Sequence, residues 1–234
     1  MARPKTRPPP AEPVPARVYP PRPSWAVKKY NLGYPHQFNV RQLVEDMVWH
    51  LPPFQREVVW TPEQQVAFCN SVFTGMPTAT ILAWRRYMGE GEEEKVLLLD
   101  GQQRLTALGA TVIRPDGTTN PPPRAYFDLA AGRFTTDPGR WALTMRDIVD
   151  LDFERQIEVS EELEKAGDVE GHNLWYSRLF ANDVVSMQQL TVYRLEHRAT
   201  PEFAIEAFRA INRPGVQFDE AEIERLIASA AAMR

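Results

Sequence analysis

Apolar positions recur at helical spacing in two segments of the first half of the chain. Asn39 can cap a first helix, and apolar side chains then follow every three or four residues. These side chains are Val40, Leu43, Val44, Met47 and Val48. The second segment begins with Thr61, which can form a capping box with Gln64, and it ends at Gly75. The pattern predicts two amphipathic helices, separated by a proline-containing extended segment over 51–60.

Short apolar runs bounded by polar turns predict strands after the second helix. One run covers 80–84, and another starts at Lys95 and stops at Asp100. A helix is expected from Gln102 to about Ala110, and two further runs, 125–129 and 133–135, flank a hairpin turn. This order of elements places the 100–104 turn at an edge or end of a sheet, where ligands commonly bind.

Helical spacing returns in the second half, from Ile148 onward. The expected helices cover about 148–166, 174–181, 185–197 and 201–211. Asp219 and Glu222 form a second capping box that opens a terminal alanine-rich helix. The prediction is therefore an α+β fold, with a compact mixed sheet in the first half and a helical layer after it.

Composition narrows the class of protein. The chain has 234 residues with 43% hydrophobic content, which suits a single domain over 30–234. No apolar run approaches the ~20 residues of a membrane-spanning helix, and the N-terminus lacks the apolar core of a secretory signal. The single cysteine, Cys69, falls in an apolar helical pattern and is expected to be a buried, inert thiol. These features favour the cytoplasm and no membrane association.

Charge is distributed unevenly along the chain. Residues 1–30 carry seven Lys/Arg against one acid, so the net charge of −4 leaves about −10 for the remainder. Nine of the 21 prolines lie in the same thirty residues, which predicts a disordered basic arm over 1–29. The arm is interpreted either as a solubilising tail or as a non-specific contact to nucleic-acid phosphates. In the second case the contacts would come from Arg3, Lys5, Arg7, Lys28 and Lys29.

The polar turn Asp100-Gly101-Gln102-Gln103-Arg104 is the strongest candidate for chemistry. The first N–H groups of a helix lack internal partners, and the helix dipole makes that end weakly positive. Arg104 could add bidentate phosphate contacts, and Asp100 could hold a divalent metal. These properties suit a nucleotide phosphate. The alternative is structural, with Asp100 as an N-cap and Arg104 paired with a surface acid.

Other sequence signatures are absent. The chain has no phosphate-binding loop of the G-x-x-x-x-G-K-[ST] type, no G-x-G-x-x-G and no G-x-S-x-G. Its four histidines are scattered without the spacing of metal ligands. They are His36, His50, His172 and His197. Three polar clusters remain, around Gln55-Arg56, around 100–104 and around Asn212-Arg213.

The order of these clusters resembles a known family. Phe54-Gln55-Arg56 with Val59-Trp60 comes first, the segment 100–106 follows, and Phe208 with Ile211-Asn212 and Gly215 comes last. The combination resembles the N-terminal domain of GmrSD-type modification-dependent restriction enzymes, which is also found in the phosphorothioate-sensing SspE proteins. The resemblance covers about residues 37–228. It also implies a ParB/sulfiredoxin-like fold, since the family is related to that superfamily.

The resemblance implies a nucleotide-binding, hydrolysing domain that couples recognition of modified phage DNA to cleavage. Its cofactors would be a nucleoside triphosphate (NTP) and Mg²⁺ or another divalent metal, and its setting a bacterial or phage-infected cell. By resemblance, Asp100 would bind the metal or orient water, and Asp100, Gln103 and Arg104 would be the catalytic residues. The nucleotide contacts would come from Gln55, Arg56, Gly101, Gln102, Gln103, Arg104 and Asn212.

Full-length relatives usually carry a second nuclease domain of the HNH type, and this sequence supplies no comparable cluster. A separate nuclease subunit is then an expected partner beside DNA, or the domain itself nicks DNA weakly. Two other functions stay open at this stage. One is a ParB-like phosphotransferase that acts on DNA or a small acceptor. The other is a non-catalytic interaction module of a restriction complex.

Overall fold

The computed structural model describes residues 33–53, 55, 57–87, 94–150 and 152–212. The strands in this part are β1 Gly33–Asn39, β2 Val48–His50, β3 Ile81–Tyr87, β4 Glu94–Asp100, β5 Thr111–Ile113, β6 Tyr126–Asp128, β7 Arg133–Thr135 and β8 Gln189–Leu195. The helices are α1 Gln42–Asp46, which is a short π-helix, α2 Pro62–Phe73, α3 Gln102–Leu108, α4 Met145–Val149, α5 Phe153–Lys165, α6 Val169–Met187 and α7 Pro201–Asn212.

Six strands form one mixed sheet in the order β1-β8-β3-β4-β2-β5. The pairs β1–β8 and β3–β4 are antiparallel, whereas β8–β3, β4–β2 and β2–β5 are parallel. The remaining two strands, β6 and β7, form a separate antiparallel hairpin. The expected α+β class with a mixed sheet is therefore confirmed. The ParB/sulfiredoxin-like assignment stays an expectation.

Both faces of the central strands are covered. Side chains alternate along a strand, so Ile81 and Ala83 of β3 join the main core, whereas Leu82 and Trp84 face the other way. That second face packs against α7, which contributes Phe208 among other apolar residues. The sheet is thus an inner layer, which explains the near-continuous apolar runs in β3 and β4.

The prediction of a helix over 185–197 is wrong. Residues 189–195 form β8, which pairs with β1 on one side and with β3 on the other. Leu190 and Val192 are buried at period two, and Thr191, Val192 and Tyr193 are residue types that favour strands. The sheet therefore takes a central strand from the half of the chain that was expected to be helical.

Several other boundaries differ from expectation. The first predicted helix ends early, because Met47 is extended and Val48 already begins β2. α3 ends at Leu108, since Gly109 adopts a left-handed conformation. The helix expected over 148–166 is two helices, α4 and α5, and the one expected over 174–181 is part of the longer α6. The strands β1, β2 and β5 were not predicted; β1 and β5 form the two edges of the sheet, and β2 lies next to β5.

Other predictions are confirmed. Thr61 and Gln64 form the capping box of α2, and the hairpin lies where the two apolar runs placed it. α7 covers the expected residues. The terminal helix expected after Asp219 lies outside the described residues. In the part of the chain that the structure covers, none of the helices has the length and apolar character to cross a membrane.

Candidate functional site

The site begins where β4 turns into α3. Asp100 is the last residue of β4, and Gly101 follows with a φ of 110°. A Cβ on Gly101 would lie 3.0 Å from Cγ1 of Ile81, so the position combines a conformation that favours glycine with a close approach to β3. This tight turn brings the end of β4 and the first turn of α3 side by side.

Asp100 and Arg104 form an ion pair across this turn. Nη2 of Arg104 donates to Oδ2 of Asp100 at 2.5 Å. Nη1 of Arg104 donates to two main-chain carbonyls ahead of β3, to Ala79 at 2.6 Å and Thr80 at 3.1 Å. The Arg104 side chain is 11% exposed and the Asp100 side chain 26% exposed, so both reach the surface. The structural alternative is only half right, because Gly101, not Asp100, is the N-cap of α3 and the acid paired with Arg104 is Asp100 itself.

The Asp100–Arg104 pair does not use all of the hydrogen-bonding groups of its two side chains. A guanidinium carries five N–H donors, and the contacts to Asp100, Ala79 and Thr80 use three of them. Oδ1 of Asp100 makes no hydrogen bond to any residue that the structure describes. Among the described residues, two N–H groups of Arg104 and one oxygen of Asp100 thus have no partner, and they could bind an additional ligand.

Gln103 holds the segment that follows the first polar cluster. Its Oε1 accepts from the main-chain N–H groups of Val59 and Trp60, each at 3.0 Å. Its Nε2 donates to the Glu57 carbonyl at 3.2 Å. Because these three contacts occupy both ends of the amide, the Gln103 side chain fastens residues 57–60 to the start of α3.

Gln55 reaches the same strand end from another direction. Its Nε2 donates to the Leu99 carbonyl at 2.6 Å, one residue before Asp100. This contact places Gln55 beside the β4–α3 junction. Phe54 and Arg56 lie outside the described residues.

Gln102 belongs to a network behind the junction. It is buried, and its Nε2 donates to Oδ1 of Asn120 at 3.4 Å. Asn120 also donates to Thr106 at 2.7 Å and accepts from Arg114 at 3.2 Å. Arg114 in turn forms a two-armed ion pair with the exposed Glu57. The network links α3, the loop after β5 and the segment 57–60.

The side chains that could act as metal ligands restrict how this junction can hold a metal. Over the residues that the structure covers, no three His, Cys, Asp or Glu side chains come together in a group that could bind a metal. Mg²⁺ often takes only one or two carboxylates and completes its shell with water and substrate phosphates. Asp100 fits that mode, as one ligand of a metal that arrives with a phosphate.

Burial shifts the pKa of Cys69, His36 and His50. Cys69 is buried, and burial raises the pKa of its thiol, as expected for an inert residue. Burial also lowers the pKa of His36 and of His50 below 6.5, and nearby cations, Arg194 for His36 and Lys95 for His50, lower it further. Such histidines are neutral at physiological pH.

The structure thus brings six of the eight residues predicted for the nucleotide site to one junction: Gln55, Asp100, Gly101, Gln102, Gln103 and Arg104. Asn212 is the last residue of α7, and its side chain is not described. The five basic arm residues lie outside the described part as well. Sequence reasoning missed Glu57, Arg114 and Asn120, whose contacts span up to 57 residues along the chain and leave no local pattern.

Two comparisons with known proteins bear on this site. A family model described as the N-terminal domain of the GmrSD restriction endonuclease matches residues 39–227. The match runs from the end of β1 past α7 and includes all three polar clusters. Among curated proteins, none matches the chain.

Proposed function

The chain belongs to the family of GmrSD restriction endonuclease N-terminal domains, and from that premise we propose that it binds and hydrolyses an NTP at the β4–α3 junction. Restriction endonucleases act on DNA, so the hydrolysis would serve the cleavage of DNA, modified phage DNA in particular. The observation that carries the proposal is the Asp100–Arg104 pair at a glycine turn, which is partly exposed and has donors and an acceptor that no described residue uses.

Arg104 supplies the charge in this proposal. Its guanidinium is anchored by the Ala79 and Thr80 carbonyls, which fix its position before any ligand arrives. The remaining N–H donors can bind phosphate oxygens in the bidentate manner that arginine favours. A fixed cation beside a phosphoryl group stabilises the negative charge that develops during transfer, and such positioning supplies most of the rate in phosphoryl-transfer enzymes.

Asp100 supplies the metal ligand. Its carboxylate would hold Mg²⁺ together with the phosphates and water, and the metal would neutralise charge on the phosphate oxygens. The ion pair with Arg104 keeps the carboxylate oriented toward the same side as the guanidinium.

The glutamines have different roles in the proposal. Gln55 and Gln102 lie beside and behind the junction, where they support its shape and can contribute a nucleotide contact. Gln103 acts through the segment 57–60, because its amide is occupied by main-chain groups there. We therefore assign Gln103 as a positioning residue that secures the first polar cluster.

The proposal is tested by release of labelled γ-phosphate from NTP with Mg²⁺, in the presence and absence of DNA. Arg104→Ala and Asp100→Asn are expected to lower turnover about a hundredfold or more, since each removes a group that acts on the charged phosphates. Arg155→Ala is the matched control, because Arg155 forms an exposed ion pair with Glu158 on α5. Its turnover should equal that of the unaltered chain.

Other outcomes of this assay would select another function. Label that appears on DNA or a small acceptor, instead of free phosphate, would identify a phosphotransferase. Intact nucleotide after long incubation with each of the four common NTPs and with Mg²⁺ or Mn²⁺ would contradict hydrolysis and favour an interaction module. Equal turnover in the Arg104→Ala variant would remove the assignment of the site.

A further inference from the structure

α6 carries a line of exposed apolar side chains on the side away from the core. Val169 is 70% exposed, Phe180 72% and Met187 72%, and Tyr176 is 46% exposed. Large apolar side chains scattered singly on a surface are ordinary, but four on one helix face form a patch of the kind that marks an interaction site.

The spacing of this line is that of a helix–helix seam. Asn173 and Asp183 are exposed on the same face of α6. With them, six exposed positions of α6 alternate in steps of four and three: 169, 173, 176, 180, 183 and 187. This is the spacing by which one helix presents a stripe to another helix lying alongside it. We call these six positions the α6 seam.

The α6 seam is complementary to itself when reversed. Its six positions are symmetric about residue 178, so in an antiparallel pair of α6 helices each position faces its mirror position on the other copy. Val169 then faces Met187, and Tyr176 faces Phe180. Asn173 faces Asp183, so an amide donor meets a carboxylate acceptor. Each copy repeats the same contacts, as a two-fold interface requires.

We propose that a second copy of this chain docks on the α6 seam, with the two α6 helices antiparallel. The antiparallel direction follows from the contact between Asn173 and Asp183. Two parallel α6 helices would instead bring Asp183 against Asp183 of the other copy. Most residues that border the seam are uncharged and half-buried: Ser177, Leu179, Val184 and Ser186. The apolar contacts can therefore close without opposing like charges along most of their length.

The expected association is modest. One helix face of 19 residues offers less area than the roughly 800 Å² per partner of a standard protein interface. We therefore expect a reversible dimer in the micromolar range. The inference does not depend on nucleotide binding, so it can fail or succeed independently of the proposed function.

Sedimentation of the full chain from about 1 to 200 µM tests the docking. A shift from monomer to dimer across this range is expected, and Phe180→Asp should move its midpoint upward at least tenfold, because it places a charge in the seam. Tyr87→Asp changes an exposed aromatic residue on β3 and should leave the midpoint unchanged. A chain that stays monomeric at all concentrations, or equal midpoints for the two variants, would overturn the proposal.

Disulfide trapping tests the direction of the pair. Asn173→Cys and Asp183→Cys are made as separate variants, and the native Cys69 is buried. At dimer-forming concentrations and under mild oxidation, the mixture of the two variants should give the crosslinked dimer and each variant alone should not. Crosslinking of Asn173→Cys with itself would indicate a parallel pair, and no crosslink in the mixture would exclude the seam. Either result contradicts the inference.

Discussion

Gly101 and Arg104 show how single residues shape the β4–α3 junction. Gly101 allows the chain to reverse in one residue against Ile81, and Arg104 then folds back to Asp100 and to the carbonyls ahead of β3. The glycine and the arginine could both be identified from the sequence, because a strand, an acid, a glycine and a helix follow one another within a few residues. The pairing of Arg104 with Asp100 was not predicted, although the two residues are four positions apart, because Asp100 ends a strand and does not lie on the helix.

A substitution at Gly101 is expected to destabilise the fold. Gly101→Ala should lower the free energy of unfolding by about 1–3 kcal/mol, because the left-handed backbone disfavours a side chain and the new Cβ lies within 3.0 Å of Ile81. Gly132→Ala is the control, since it has a positive φ and nothing within 4 Å of the added Cβ, and should cost about 1 kcal/mol. Urea denaturation measures both. If both variants lose the same free energy of unfolding, the contact with Ile81 does not contribute to the destabilisation.

At the scale of elements, the local sequence pattern does not predict secondary structure correctly where pairing with neighbouring strands determines it. The segment 189–195 contains apolar residues that fit both a helix and a strand, and its position between β1 and β3 selects the strand. The short strands β2 and β5 likewise depend on pairing and carry no clear signal of their own. Capping boxes, by contrast, are local, and the one at Thr61 predicted the start of α2 correctly.

The segment 57–60 is expected to depend on Gln103. Gln103→Ala should raise amide hydrogen exchange at Val59 and Trp60, because their N–H groups lose their acceptor. Gln103→Glu keeps an acceptor oxygen for the two amides, although it loses the donor to Glu57 and adds a negative charge, so the two amides should stay largely protected. Unchanged exchange in the alanine variant would show that the segment is held by other contacts.

At the scale of the whole molecule, charge and burial set how stability responds to acid. Burial, Arg194 and Arg85 lower the pKa of His36, and Glu196 opposes them only in part. Nε2 of His36 is buried without a hydrogen-bond partner among the described residues. The unfolded chain therefore binds a proton at this histidine more readily than the folded chain, and His50 behaves in the same way.

The free energy of unfolding is expected to fall as the pH drops below 6.5, the ordinary pKa of histidine. It should be unaffected by these two groups above that value, where both states are neutral. His36→Gln should flatten the decline between pH 7 and 5, since a neutral amide replaces the titrating ring. Denaturation midpoints across this range measure the effect, and an identical slope in the variant would contradict it.

The family match covers most of the fold and includes the β4–α3 junction. The family match covers every strand of the sheet except most of β1, as well as both covering layers and the three polar clusters. The structure places six predicted site residues at the end of β4. These residues were identified through a family resemblance as well as local pattern. The network of Glu57, Arg114 and Asn120 was not, because it exists only once distant segments pack.

The most direct test of the central claim is equilibrium binding of a slowly hydrolysed NTP analogue with Mg²⁺. The unaltered chain and Arg155→Ala should bind alike, whereas Arg104→Ala should bind at least roughly tenfold more weakly, since a hydrogen bond to a charged phosphate is lost. Circular dichroism would establish that the variant is folded. Equal affinity for a folded Arg104→Ala chain would contradict a nucleotide site at the β4–α3 junction.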